Sequence, residues 1–163
     1  MKMRGISRKG LMILYAIAVI LIISPASFSD DRWRLCAGSS SGSKFYLDTR
    51  GIIRTQVPHI VRAWVKVVYS ETDRKGIAES ERSKTWKKKL SKLSETKICY
   101  EIDWREKAMR SIEDNLYDSK GNLILTIPDP YSNWTNISPD SVGECICNAV
   151  LQVFYGYEDI YSY

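Results

Sequence analysis

The strongest constraint on the fold is an alternation of apolar and polar residues in two long segments. Residues 60–69, IVRAWVKVVY, place two sets of side chains on opposite sides of an extended strand: Val61, Ala63, Val65 and Val67 against Arg62, Trp64 and Lys66. Residues 97–104, KICYEIDW, repeat this division, with Glu101 and Asp103 on the charged side. If the two strands pair, opposite charges meet on one face, where each such pair contributes about 0.2 to 1 kcal/mol.

Shorter segments of the same kind flank these two strands: RWRLCAG at 32–38, SKFYLDT at 43–49, the segment 107–117, and NLILTI at 122–127. Gly121 supplies the positive φ that the hairpin loop between the last two requires. Pro128 and Pro130 then end strand pairing, because neither offers an N–H. The pattern predicts an α+β fold, with a single antiparallel sheet of about six strands, a C-terminal helix packed on one face, and an N-terminal signal-peptide helix.

The C-terminal helix is predicted to begin after Ser138, with Ser138 as its cap, Pro139 at its first position and Asp140 at the positive end of its dipole. Apolar residues then recur at helical spacing: Val142, Cys145, Ile146, Ala149, Val150 and Val153. This spacing places Cys145 on the packed face and Cys147 off it.

The N-terminus has the composition of a secretory signal peptide over residues 1–29: four basic residues, an apolar run of 13 residues and a small-residue segment. That run is shorter than the ~20 residues that span a bilayer, so cleavage is favoured over anchoring. Removing it leaves 20 basic and 19 acidic residues in a domain over 30–163, a net charge of +1 instead of +5. We therefore expect export to the periplasm, cell surface or medium, no nucleic-acid partner, and membrane contact only through an uncleaved signal segment.

Two segments of the domain are candidate contact surfaces. Residues 74–95 form a basic insertion between strands, in which Trp86, Leu90 and Leu93 fall at the spacing of a short docked helix, and Lys87, Lys88 and Lys89 form either a polyanion contact or a solvated helix face. Residues 154–163 form a tyrosine-rich tail with Tyr155, Tyr157 and Tyr161, suited either to recognition or to a frayed terminus. Trp64 on the charged strand face is a third candidate.

Four cysteines in an exported chain favour structural disulfides, and three pairings are open for Cys36, Cys99, Cys145 and Cys147. A single Cys36 to Cys99 bridge that leaves Cys145 as a buried thiol is a further alternative. A metal or redox role is disfavoured, since the lone histidine, His59, adjoins a turn and a C-x-C spacing in a helix directs the thiols about 200° apart. No catalytic motif is present, so the sequence predicts a non-enzyme without cofactors.

The order of several short motifs resembles the surface-adhesin protein E family of exported bacterial domains. These motifs are KFYLD, GIIR, VRAWVKVVYSE, YEID, NLYDSKGN and NWTNISPDSVGE, and the most telling residues lie at the helix entrance: Trp134, Ile137, Pro139, Ser141 and Glu144. The resemblance implies the same sheet with a C-terminal helix across it. It also implies a protein that binds other macromolecules, since the namesake adhesin engages host matrix and serum proteins.

One departure from the family concerns its cysteines. Family members often place one cysteine after the YEID-like strand and another near the helix end, where this chain has Trp104 and Leu151. Packing would then replace a covalent link. The predicted function is an exported, non-catalytic, adhesin-like domain that recognises a protein or other surface macromolecule of a host or the envelope. The alternatives are a self-associating envelope protein, dimeric through the face around Trp64, and a small exported enzyme.

Overall fold

An open antiparallel sheet makes up most of the structure, a computed structural model that describes residues 32–156. Its strands are β1 (Trp33–Gly38), β2 (Lys44–Asp48), β3 (Ile53–Arg54), β4 (Ile60–Val68), β5 (Leu93–Asp103), β6 (Ala108–Asp118), β7 (Leu123–Pro128) and β8 (Thr135–Asn136). The order across the sheet is β1-β2-β4-β5-β6-β7, while β3 pairs with β4 and β8 with β6. The helices are α1 (Glu71–Ser80), α2 (Lys84–Leu90) and α3 (Val142–Tyr155).

The predicted fold class is confirmed for this part of the chain: six strands form the main order, and a C-terminal helix follows them. The short strands β3 and β8 were not predicted from the sequence. β3 pairs with the first residues of β4, and β8 pairs with the first residues of β6. The predicted signal peptide lies outside the described residues. Within residues 32–156, no helix combines the length and apolar composition needed to cross a bilayer.

The pairing of β4 with β5 follows the charge pattern. Arg62 lies opposite Glu101, and its Nη2 donates to Oε1 of Glu101 at 2.7 Å. From β6, Nη2 of Arg110 donates to the other carboxylate oxygen at 2.6 Å. Burial raises the pKa of Glu101, but the hydrogen bonds from both arginines outweigh it and the pKa is lowered. One glutamate thus joins three strands on the outer face, the side of the sheet that bears Arg62 and Trp64.

The core lies on the opposite side, between the sheet and α3. The apolar residues of β4 that the alternation placed together are buried there, with Leu47 and Ile102 beside them and Ile146 and Val150 from the helix above. Val150 has no solvent exposure at all. Burial of such side chains stabilises the fold by about 1.5 to 3 kcal/mol each.

Helix α3 begins three residues later than predicted. Its N-cap is Ser141 and not Ser138: the Ser141 hydroxyl accepts the N–H of Glu144 at 3.2 Å, and Oε2 of Glu144 accepts the N–H of Asp140 at 2.8 Å. Asp140 has a φ of 58°, so the chain turns there before the helix starts. This is a variant of the capping box, which the S-x-x-E spacing signals. Pro139 accordingly precedes the helix and does not occupy its first position.

The predicted packed face of α3 is confirmed for Val142, Ile146, Ala149, Val150 and Val153, but the positions of the two cysteines are reversed. Cys147 is buried, with 7% exposure, whereas Cys145 is exposed. The large side chains of Leu151 and Phe154 pack against the core as well, and they lie on the Cys147 side of the helix. Because they offer more apolar area than a thiol, the helix turns toward them.

Two helices, and not one, connect β4 to β5. Helix α1 starts at the cap Ser70, whose hydroxyl accepts the N–H of Asp73 at 3.1 Å. The Asp73 carboxylate also accepts hydrogen bonds from Ser41 and Ser43, which fix α1 to the start of β2. The predicted stripe does not stay on one helix, since Leu93 is the first residue of β5 and is buried there.

Candidate functional site

Helix α2 carries the lysine cluster that the sequence predicted as a contact surface. The hydroxyl of Ser83 caps its start, and the N–H of Ser91 bonds to the carbonyl of Lys87 at its end. Lys87, Lys88 and Lys89 occupy the last turn, where positive charge interacts favourably with the helix dipole. The positive charge of these lysines therefore stabilises the helix, and all three side chains are exposed.

A cleft of about 520 Å³ lies between α2 and the hairpin of β6 and β7. Its lining consists of Lys84, Lys88, Lys89 and Lys92 with Thr85 on one side, and Asp118 and Ile124 on the other. The structure therefore brings two of the three predicted lysines together and leaves Lys87 outside. Sequence reasoning missed Lys84 and Lys92, although their spacing of four residues on either side of Lys88 was a readable signal.

The single acid in the cleft is already engaged in its own turn. The Asp118 carboxylate accepts the backbone N–H groups of Lys120 and Asn122, both at 2.9 Å, and the Asn122 amide at 3.0 Å. The side-chain bond from Asn122 and these backbone bonds lower the pKa of Asp118, so it stays ionised at neutral pH. Four lysines and one aspartate give the lining a net charge of +3.

Three glutamates near the lysine cluster in the sequence, Glu79, Glu81 and Glu95, interact with other groups. Glu81 accepts the N–H of Ser83 at 2.8 Å, and Glu95 lies 3.8 Å from the ammonium of Lys97. Glu79 acts on Lys75, whose pKa is raised mainly by its hydrogen bond and ion pair with Glu71. Among the described residues, no carboxylate comes within salt-bridge distance of a cleft lysine. The positive charge of the cleft is therefore not cancelled within residues 32–156.

Trp86 supports this surface from the side. Its ring is half-buried, and the Lys89 ammonium lies 4.5 Å from the ring centroid. A cation at this distance over an indole ring is held by about 0.5 to 1 kcal/mol at an exposed site. Trp86 thus helps to direct Lys89 toward the cleft and offers little ring surface of its own.

The other predicted contact residues lie apart from the cleft. Trp64 is half-buried on the outer face, opposite Cys99 in the β4–β5 register. Tyr155 is 37% exposed and meets the ring of Trp104 edge-on at 6.0 Å. Tyr157 and Tyr161 lie outside the described residues. The structure describes no surface that joins Trp64 or Tyr155 to the lysines.

Several residues of the motifs that carry the family resemblance have structural roles in the sheet and its turns. Trp134 stacks on the Arg110 guanidinium at 4.8 Å, and the N–H of Ile137 donates to the carbonyl of Lys107 at 2.7 Å. Gly121 has the positive φ, 79°, that the hairpin required. Trp104 and Leu151, at the places of the family's cysteines, both pack against the core. Apolar contact holds helix and sheet together at that point.

The predicted disulfides are absent, since all four cysteines are free thiols. Cys99 is buried on the outer face beside Trp64, while Cys36 packs against the core on the helix side, so the sheet separates that pair. Burial raises the pKa values of Cys36, Cys99 and Cys147 to about 11. The electrostatic effect of Cys145 is a second cause of the raised pKa of Cys36, and helix α3 contacts β1.

His59 lies beside Asp103 at the end of β5. Nε2 of His59 lies 3.5 Å from Oδ2 of Asp103, and Asp103 also accepts the N–H groups of Arg105 and Glu106 in the turn after β5. Nowhere in residues 32–156 do three His, Cys, Asp or Glu side chains meet as metal ligands would. His59 therefore belongs to a turn of the scaffold.

The sheet, the helix across it and the basic cleft define an α+β domain whose distinctive chemistry is on its surface. The sequence model of the family Surface-adhesin protein E matches residues 33–150, and the chain belongs to this family. It is thus an adhesin-like surface protein. No curated protein sequence matches it.

The solved structures to which this chain is similar include protein E of Haemophilus influenzae. One is 16% identical with a TM-score of 0.47, and the alignment covers 77% of this chain and 87% of that one. A second crystal form gives 11% identity and a TM-score of 0.47, with 74% and 87% covered. Protein E from a non-typeable strain gives 13% identity and 0.45, with 77% and 79% covered.

Proposed function

We propose that this chain is an exported, non-catalytic binding domain that attaches to a protein or other surface macromolecule of a host or of the bacterial envelope. Membership of a surface-adhesin family supports export and attachment. The observation that carries the proposal is the set of exposed lysines around α2, which leaves the cleft lining with a net charge of +3 and forms no salt bridge to a carboxylate of residues 32–156. Such a surface attracts a negatively charged partner over a distance of about one Debye length.

The position of these lysines also supports a binding role. Helices α1 and α2 form an excursion between adjacent strands, and the main core cluster draws no residue from either helix. A segment that contributes so little to the core is free to keep residues that serve a partner. Charge at its surface would then set the rate and the salt dependence of attachment.

The proposal is tested by retention of the full chain on surfaces coated with extracellular-matrix glycoproteins, compared with albumin-coated surfaces. We expect selective retention that weakens as salt rises from 50 to about 500 mM, as screening requires. The variant with Lys87→Ser, Lys88→Ser and Lys89→Ser should be retained less and respond less to salt. A matched variant with Lys44→Ser, Arg50→Ser and Lys75→Ser removes the same charge elsewhere and should behave as the parent chain. Equal retention on albumin and matrix would refute the proposal.

A second candidate is self-association within the envelope, and the free edge of the sheet favours it. β7 carries six residues without a charge, and Leu123 and Ile127 on it are 56% and 43% exposed. Uncharged edge strands readily pair with another chain. Analytical ultracentrifugation would detect a homodimer. If the dimer forms through the edge strand β7, Thr126→Lys should convert it to monomer. If it forms through the outer face, Trp64→Ala should convert it to monomer instead.

Cell fractionation would decide the final compartment, which we propose to be the cell surface. Antibody access on intact cells is the expected outcome. Recovery of the protein only after outer-membrane disruption would assign it to the periplasm instead.

A further inference from the structure

We infer that the cleft between α2 and the β6–β7 hairpin binds a linear sulfated polysaccharide. This deepens the proposed function, on which it rests, by naming the partner's chemistry.

The lysines form a row along the helix. Lys84 and Lys88 stand one turn apart, and Lys92 follows four residues later, just beyond the helix cap. Side chains four residues apart on a helix are separated by about 5 to 6 Å at their Cβ atoms. The Cβ atoms of Lys84 and Lys88 are therefore about 5 to 6 Å apart, and Lys92 extends the row in the turn that follows. A row of this kind matches a polymer with repeated charges better than it matches a single compact anion.

All four cleft lysines are exposed, and this favours many weak contacts over one enclosed site. A small ligand in a specific pocket usually buries 70 to 90% of its surface, or more, which needs walls on several sides. Here the ligand would touch lysines on one wall and a hairpin on the other. Affinity then comes from the sum of several ion pairs along a chain, as it does for other polyanions.

Lysine is suited to sulfate groups in this setting. Its ammonium is a compact charge with three donors on a flexible stem, so it can follow anionic groups at irregular spacing, whereas arginine fits fixed bidentate geometry. The cleft contains four lysines and no arginine. Asp118 keeps its charge but directs its hydrogen-bonding capacity to its own turn, so it repels the ligand less than a free carboxylate would.

A membrane surface fits the same charges less well. A bilayer is broad and flat, and it reaches residues that project outward, whereas these lysines line the wall of a cleft that faces a hairpin. Leu123 on that hairpin is exposed and could contact lipid. Anionic vesicles are therefore included in the test as a competing ligand.

The test is titration of the full chain with a heavily sulfated heparin chain, with the same chain after chemical desulfation, and with phosphatidylglycerol vesicles. We expect binding to the sulfated chain, at least tenfold weaker binding to the desulfated chain, and no cleft-dependent binding to vesicles. Equal affinity for both chains, or vesicle binding that the cleft lysines control, would overturn the inference.

The decisive variant changes Lys84, Lys88 and Lys92 to Ser. Three surface ion pairs correspond to roughly a tenfold loss of affinity, and the slope of log K against log salt should fall by about three. The matched variant at Lys44, Arg50 and Lys75 should change affinity less than about twofold. Replacement of the three cleft lysines by Arg keeps the charge and should keep binding, while urea unfolding checks that each variant is folded. Loss of affinity in the matched variant to the same extent would show that only net charge matters.

The outcome separates this inference from the proposed function. If matrix retention persists after enzymatic removal of sulfated chains, the chain is still an adhesin, but the cleft is not its polysaccharide site. If the sulfated chain binds through the cleft and no matrix surface is retained, the inference stands and the proposed function fails.

Discussion

The packing of α3 on the sheet makes a quantitative prediction for Val150→Ala. Val150 is fully buried among residues of β2, β4 and β5. The change removes two carbon groups, each worth about 0.8 kcal/mol of transfer free energy, and leaves a small cavity that adds to the cost. We expect the free energy of unfolding to fall by about 2 to 3 kcal/mol.

The assay is urea unfolding of the full chain, followed by circular dichroism at fixed pH and salt. The matched control is Val57→Ala, the same change at a side chain that is 41% exposed in the turn before β4. Surface changes of this kind alter stability by less than about 0.5 kcal/mol. If both variants lost the same stability, or Val150→Ala lost less than about 0.5 kcal/mol, the helix would not be packed as described.

Three further predictions concern charge, thiols and the helix cap. Glu101→Gln should lower the free energy of unfolding by about 1 to 3 kcal/mol at pH 7, measured with urea, because Arg62 and Arg110 lose their ionic partner. Since the pKa of Glu101 is lowered in the folded state, this stabilisation is present above the ordinary pKa of a glutamate and is lost as the pH falls through the folded-state pKa. A difference between the variant and the parent chain that persists at pH 2 would contradict the reasoning. Iodoacetamide at pH 8 should modify Cys145 first, as mass spectrometry of the peptides would show, because burial raises the pKa of the other three thiols to about 11; simultaneous labelling of all four would count against it. Ser141→Ala should lower the free energy of unfolding by about 1 kcal/mol, whereas Ser138→Ala should lower it by less than half as much. A larger loss for Ser138→Ala than for Ser141→Ala would indicate that the helix is capped by Ser138.

The sheet was predictable because its signals are local and repeated. The alternation in β4 and β5 specifies both a buried face and a charged face, and a shift by one residue would expose Val61, Val65 and Val67 of β4. The sequence also identified the hairpin at Gly121, since few residues other than glycine adopt its positive φ easily. These features depend on neighbours along the chain and not on the packing of distant parts.

The start and rotation of α3 depended on information that a single helical pattern does not contain. Ser138 with Pro139 and Ser141 with Glu144 are both plausible beginnings, and the choice depends on the backbone turn at Asp140. The rotation depends on how Leu151 and Phe154 fill space above the sheet. Helical spacing shows which residues form an apolar face, but the volume that the side chains fill against the sheet decides how that face is turned.

The cleft was only half predictable for a similar reason. The run of Lys87, Lys88 and Lys89 attracts attention because the residues are adjacent, yet adjacent residues of a helix point in different directions. The proposed binding row is Lys84, Lys88 and Lys92, and the second wall of the cleft comes from a hairpin about 30 residues away. That wall could not be assigned from the sequence, because nothing in α2 shows which loop lies opposite.

The excursion of α1 and α2 starts and ends at neighbouring points of the sheet. Val68 pairs with Glu95, and the N–H of Tyr69 bonds to the carbonyl of Ser94 at 3.1 Å. Because these bonds close the base, relatives can lengthen, shorten or replace the two helices while the strands beneath keep their register. Partner choice in such proteins can then diverge by exchange of one loop, on a scaffold that stays constant.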